Sequence, residues 1–128
     1  MADMQQRKRP KNLNLFTIRL PVNAIISILH RMSGMALFLV LPALLWVLSQ
    51  SVQSEATYIA LAAMLQHWLA KLFLLVLSCA FFHHFYAGLR HLAMDVHWMT
   101  SLQKARLSSR LVLGLDVLSV AAFACVIW

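Results

Sequence analysis

Acidic residues are scarce in this chain. Asp and Glu number four against eleven Lys and Arg, and charged residues make up only 12% of 128. A soluble domain carries about 25% charged and about 45–50% apolar residues; here 62% are hydrophobic. That balance argues against a soluble domain and for a membrane protein. On distribution, nucleic acid is a poor second as a partner. A soluble basic binder spreads its charge over a folded surface, whereas these bases sit mainly in short flanks around apolar blocks. Cysteines number two, Cys79 and Cys125, both inside apolar runs, so no disulfide framework is implied. With three glycines, no dimer motif of paired glycines at small-xxx-small spacing forms. Alternating ten-residue segments of a membrane β-barrel are absent as well.

What is present is three apolar blocks, at about 22–48, 68–94 and 111–128. A membrane helix needs about 20 mostly apolar residues, so each block spans. Helices pair their own backbone groups, as lipid requires. The expectation is an all-α integral membrane protein with three transmembrane helices in one domain, 1–128. Pro42 falls inside the first helix, where a kink is tolerated. Residues 1–21 are expected as a basic tail. They carry Arg7, Lys8, Arg9, Lys11 and Arg19. The apolar stretch that follows is too long for a signal peptide and lacks a clear cleavage site. The loop at 49–67 has no Lys or Arg, whereas Lys104, Arg106 and Arg110 precede the third block. Positive residues stay on the cytoplasmic side, so the N-terminus is expected inside and the C-terminus outside.

Three apolar helices alone would make an inert anchor. The informative residues are the polar ones inside the spans, which usually face a bundle interior and mark function. In the first helix, Ser27, His30, Arg31 and Gly34 are spaced by three, four and seven from Ser27 and share a face. Hydroxyl, imidazole and guanidinium donors suit the two carbonyls of a quinone, and donors that strengthen on the reduced anion favour reduction. Arg31 has other readings: a grip on a carboxylate or haem propionate, or a side chain that snorkels to the headgroups.

In the second helix, His84, Gly88, His91 and Asp95 form one stripe, with His83 and Arg90 pointing elsewhere. His84 lies about 15 Å from the end of the block and His91 about 10 Å nearer the cytoplasm. An intramembrane imidazole with a glycine one turn away suits a haem ligand, because the glycine leaves room for the macrocycle edge. The alternative is a histidine hydrogen-bonded to a neighbouring helix. His91 is better placed for a propionate or a proton relay. Asp95 reads as an interfacial acid. Asp116, about 9 Å into the third helix, reads as a structural hydrogen-bonding group.

Two segments, RPKNLNLFTIRLPVNAIISILHRMSG (9–34) and HFYAGLRHLAMD (84–95), resemble the cytochrome b anchor subunits of bacterial succinate dehydrogenase. The family pattern is Arg-Pro, then Ser-x-x-His-Arg-x-Ser-Gly, then His-x-x-x-Gly-x-Arg-His-x-x-x-Asp. Arg9-Pro10, Ser27, His30-Arg31, Ser33-Gly34, His84, Gly88, Arg90-His91 and Asp95 match it in order. Lys11 departs from it, and His83 adds a second imidazole beside His84.

The resemblance implies half of a heterodimeric anchor bundle in the bacterial inner membrane, paired with a second small three-helix subunit. It further implies an iron–sulfur subunit and a flavoprotein subunit on the cytoplasmic face. Haem b would be shared between the two anchors, with His84 as this chain's axial ligand to the iron. Ubiquinone would be reduced at Ser27 and Arg31, and His30, Arg31 and His91 would lie near the haem propionates or a proton relay. The chain alone is then not a complete enzyme; it carries no flavin motif and no cysteine cluster for iron–sulfur ligation. The alternatives are a fumarate reductase anchor and a small structural or regulatory membrane protein without a redox centre.

Overall fold

In the computed structural model, residues 19–128 are described. The expected basic tail, including Arg9-Pro10 and Lys11, lies outside them except at its last residues. Four helices follow in order: α1 (Val22–Gln53), α2 (Glu55–Leu65), α3 (Trp68–Asp95) and α4 (Leu102–Ile127). Three of them, α1, α3 and α4, are long and apolar enough to cross a membrane. At about 1.5 Å per residue, α1 with its 32 residues outruns the roughly 30 Å hydrocarbon core. Pro42 lies inside α1 without ending it.

Two boundaries differ from the sequence expectation. The segment 49–67 is not a plain loop. It holds the last turn of α1 and the 11-residue α2. Ser54 separates the two helices and caps α2 through a reciprocal pair with Thr57, with Glu55 in the first turn. Such a capping box supplies acceptors to backbone donors that a helix start leaves unpaired. The third span starts at Leu102, nine residues before the apolar block at 111. Ser101 caps it by accepting from the Lys104 amide at 3.4 Å. The early turns look like loop because Lys104, Arg106 and Arg110 are there, but these side chains are exposed. Behind them Ala105, Ser108, Ser109 and Val112 are buried, at the three, four and seven spacing of one helix face.

The interior is small and largely polar. Among the described residues the buried apolar set is Ile26, Ala87, Ala105 and Val112, and the buried polar set is Ser33, Ser78, His83, Arg90, Ser108 and Ser109. Large apolar side chains lie outside instead, with Phe38 73% and Val126 83% exposed. That inversion is what lipid as solvent demands. Apolar burial gains little between helices there, so small residues allow close approach and polar ones join the helices.

α3 is the central element, with α1 and α4 packed on it. Ile26, Ala87 and Val112, one from each helix, form the core cluster. Ser109 donates to Asn23 Oδ1 at 2.9 Å, tying the start of α4 to the start of α1. Arg90, near the end of α3, donates from Nε to Ser108 Oγ at 3.0 Å. The start of α1, the end of α3 and the start of α4 therefore share one side of the bundle. Trp128 and Lys71, with the ammonium 5.8 Å from the ring centroid, mark the other.

The core makes a direct prediction. Ala87 is fully buried, so Ala87→Leu overpacks the three-helix contact and costs about 1–3 kcal/mol. Thermal unfolding of the solubilised protein should shift downward for Ala87→Leu and stay unchanged for Val126→Leu on the exposed face.

Candidate functional site

Two consecutive imidazoles on α3 reach across to carbonyls on α1, and they end in different states. His83 is buried. Its Nε2 lies 3.4 Å from the Ile26 carbonyl, and its Nδ1 lies 2.6 Å from Asp116 Oδ2 on α4. A carbonyl only accepts, so Nε2 carries hydrogen. Nδ1 then either donates to the carboxylate or accepts from the protonated acid. Both arrangements give the pair zero net charge, which suits an apolar setting. Both ring nitrogens of His83 are thereby occupied.

His84 is half-buried. Its Nδ1 lies 3.1 Å from the His30 carbonyl, so Nδ1 carries the hydrogen and donates. The Ser33 hydroxyl donates to the same carbonyl at 2.9 Å and lies 3.4 Å from His84 Nδ1. With Nδ1 protonated in the neutral ring, the lone pair sits on Nε2. That is the arrangement of a metal-ligating histidine, whose second nitrogen is held by a carbonyl.

Gly34 makes this possible. A Cβ built on Gly34 would meet His84 Cε1 at 2.7 Å and Nδ1 at 3.1 Å. The glycine that gives the His84 ring its space is therefore Gly34 on α1. Gly88, expected to leave room for a macrocycle edge, has His30 Nε2 at 3.5 Å from its built Cβ, an ordinary contact. His30 stacks on His84 with centroids 4.3 Å apart and planes 10° from parallel. His91 tilts against His30 on the other side at 5.0 Å. The three rings form a row across α1 and α3, two of them from the stripe read on the second helix.

Arg31 is exposed, and its Nε donates to the Ser27 carbonyl at 3.3 Å. Ser27 is half-buried beside it. Asp95 is exposed and joins none of these contacts. Arg90 is buried against α4, with Nη2 3.5 Å from the Ala105 carbonyl. Tyr86 and Ser119 share a 2.8 Å hydrogen bond lower on the same helix pair.

Two features escaped the sequence reading. The pairing of His83 with Asp116 joins residues 33 apart, and no local spacing announces it. The contact of Gly34 with His84 joins two polar stripes on different helices, and the register that brings them together is not a local pattern. Among the described residues, no three or more His, Cys, Asp or Glu side chains converge as a metal-ion site. His84 can offer one nitrogen to a metal whose remaining ligands come from elsewhere.

The comparisons with known proteins agree with this architecture. Residues 5–123 match the succinate dehydrogenase/fumarate reductase transmembrane subunit family. The succinate dehydrogenase cytochrome b556 subunit of Coxiella burnetii is 36% identical over 123 residues, covering 94% of this chain and 98% of the relative. The protein of the same name from Paracoccus denitrificans is 34% identical over 94% of this chain and 93% of its own length. A succinate dehydrogenase cytochrome b560 subunit of Reclinomonas americana is 29% identical over 94% of this chain and 84% of its own. With three spanning helices and a family match over nearly its whole length, this multi-pass membrane chain belongs to the succinate dehydrogenase/fumarate reductase transmembrane subunit family.

Proposed function

We propose that the chain is the cytochrome b anchor of a succinate:ubiquinone oxidoreductase, binding haem b and forming part of the quinone site. One observation carries the reading: His84 has its Nδ1 held by the His30 carbonyl at 3.1 Å, leaving Nε2 to ligate. A porphyrin brings four nitrogens of its own, so a single imidazole is what this chain must add. His84 would hold the iron through Nε2; the stacked His30 ring lies against the face of the His84 ring and not at that nitrogen. His83, with both nitrogens engaged, has none to offer. The names of the relatives, cytochrome b556 and b560 subunits, support a b-type haem on the same site. A partner three-helix anchor would provide a further ligand.

A bound haem would supply a one-electron store for quinone reduction. The chain's own residues do the rest. The His30 carbonyl holds the His84 proton, which fixes the tautomer and raises the basicity of Nε2. Gly34 keeps the ring's space open. Ser27 and Arg31 donate to the quinone carbonyl and bind the reduced oxygen more strongly than the neutral one, which favours reduction. His30, Arg31 and His91 would hold the haem propionates, and His91 would also carry a proton inward.

The iron–sulfur and flavoprotein subunits would dock on the side where α1 starts, α3 ends and α4 starts. Succinate is oxidised there, and electrons reach the quinone at this chain's edge. Exposed Arg19, Lys104, Arg106 and Arg110 cluster on that side, while the segment 49–67 at the other end has no Lys or Arg. The positive-inside rule then puts the N-terminus in the cytoplasm and the C-terminus in the periplasm, across the inner membrane.

Three expectations follow. His84→Ala removes or shifts the reduced b-type absorption band of the purified complex, and an unchanged band would contradict the assignment. Gly34→Ala pushes a methyl into the His84 ring and should reduce haem content, read from the same band per complex. Ser27→Ala or Arg31→Leu should lower quinone reduction about tenfold or more, the effect of losing a hydrogen bond of about 1.5–3 kcal/mol to a charged group. Succinate oxidation with a soluble dye acceptor should persist in both; equal loss of the two activities would mean failed assembly.

A further inference from the structure

The geometry points to Asp116 on α4 as a positioning residue for His84: by holding His83, it sets the rotation of α3 that aims His84 at α1. This inference rests on the reading of His84 as the haem ligand and adds a residue that touches neither haem nor quinone.

Successive residues on a helix are about 100° apart, so fixing one side chain in space fixes the direction of the next. His83 is held from two sides, by Asp116 Oδ2 at 2.6 Å and by the Ile26 carbonyl at 3.4 Å. Its contacts therefore link all three spanning helices at one level. His84, one residue on, meets the His30 carbonyl one turn further along α1 at 3.1 Å. The tolerance at that meeting is small, since the ring sits against Gly34 with no room for a methyl.

The apolar core at this level is small; Tyr86 with Ser119 at 2.8 Å is a second directional contact between α3 and α4, but of the two only the His83 contact also reaches α1. Ile26, Ala87 and Val112 form the cluster, and Ala87 lies one turn beyond His83. An alanine against two aliphatic side chains has no directional preference, whereas a bifunctional imidazole between an acid and a carbonyl has one. Asp116 Oδ1 is buried without a hydrogen-bond partner, so the contact of Oδ2 with His83 is what holds the acid inside its span.

The test compares variants of the assembled complex, solubilised from membranes, by haem content, reduced absorption band and the low-spin ferric EPR signal. Asp116→Leu leaves His83 without its α4 partner. It should loosen the haem about tenfold, the lower end of what outer-shell partners contribute to metal affinity, and shift the EPR signal. Asp116→Asn keeps an acceptor oxygen and should restore the wild-type signal. The paired variant His83→Leu/Asp116→Leu removes both partners and leaves no unpaired buried group, so it should accumulate and still show the shifted signal.

A wild-type signal in Asp116→Leu or in the paired variant overturns the inference. Failure of the paired variant to accumulate overturns it too, because the pair would then be a requirement for folding and not a rotational clamp. His84→Ala measured alongside separates the two readings. If that variant keeps its haem signal, the haem assignment fails. If it loses the signal while Asp116→Leu does not change, only the role of Asp116 fails.

Discussion

Two carbonyls of α1, one helical turn apart, receive two successive imidazoles of α3. Ile26 takes His83 and His30 takes His84. Most of the site depends on this double contact. A helix carbonyl already serves its own ladder, and its second lone pair is available to a neighbour. By using it, the chain pairs two polar side chains in lipid without spending any further polar residue on α1. The same contact sets the two histidines apart chemically. One is engaged at both nitrogens, by Asp116 and a carbonyl, and the other at Nδ1. Adjacent residues of identical type thus acquire different roles from the helices they face.

The surrounding fold serves that contact. Small residues bring the helices close: Gly34 beside His84, Ala87 at the centre, and Ala105, Ser108 and Ser109 along α4. Hydrogen bonds then join the helices at several levels, from Ser109 with Asn23 and Arg90 with Ser108 to Tyr86 with Ser119. Large apolar side chains are left outside for lipid and for neighbouring subunits. Charge is sorted in the same economical way. The exposed bases gather at one end, while Arg90 is taken inside and satisfied by α4.

The three spans were legible because hydropathy over about 20 residues reports what lipid accepts. Their ends were less so. The first turns of α4 read as loop since Lys104, Arg106 and Arg110 dominate a composition count, although Ala105, Ser108, Ser109 and Val112 repeat at helix spacing beneath them. α2 was hidden for a related reason: a segment counted only for its missing charge gives no weight to the Ser54–Thr57 cap. Among the polar residues, the stripes on the first and second spans, α1 and α3, could be seen from spacing alone, since a single helix obeys one period. Which stripe meets which could not. Gly34 against His84 and Asp116 against His83 are contacts between helices, decided by rotation and register that no local pattern encodes. Asp116 was readable as a costly residue needing a partner; the partner's identity needed the fold.

The central claim is that His84 presents Nε2 to a haem iron while the His30 carbonyl holds Nδ1. A cryo-EM structure of the assembled complex in lipid nanodiscs tests it most directly, at a resolution that separates the ring nitrogens by their neighbours. The account predicts density for a macrocycle whose iron is bonded to His84 Nε2, with Nδ1 still within hydrogen-bonding distance of the His30 carbonyl. Iron bonded to His83, or a His84 ring with no macrocycle beside it, would contradict the account.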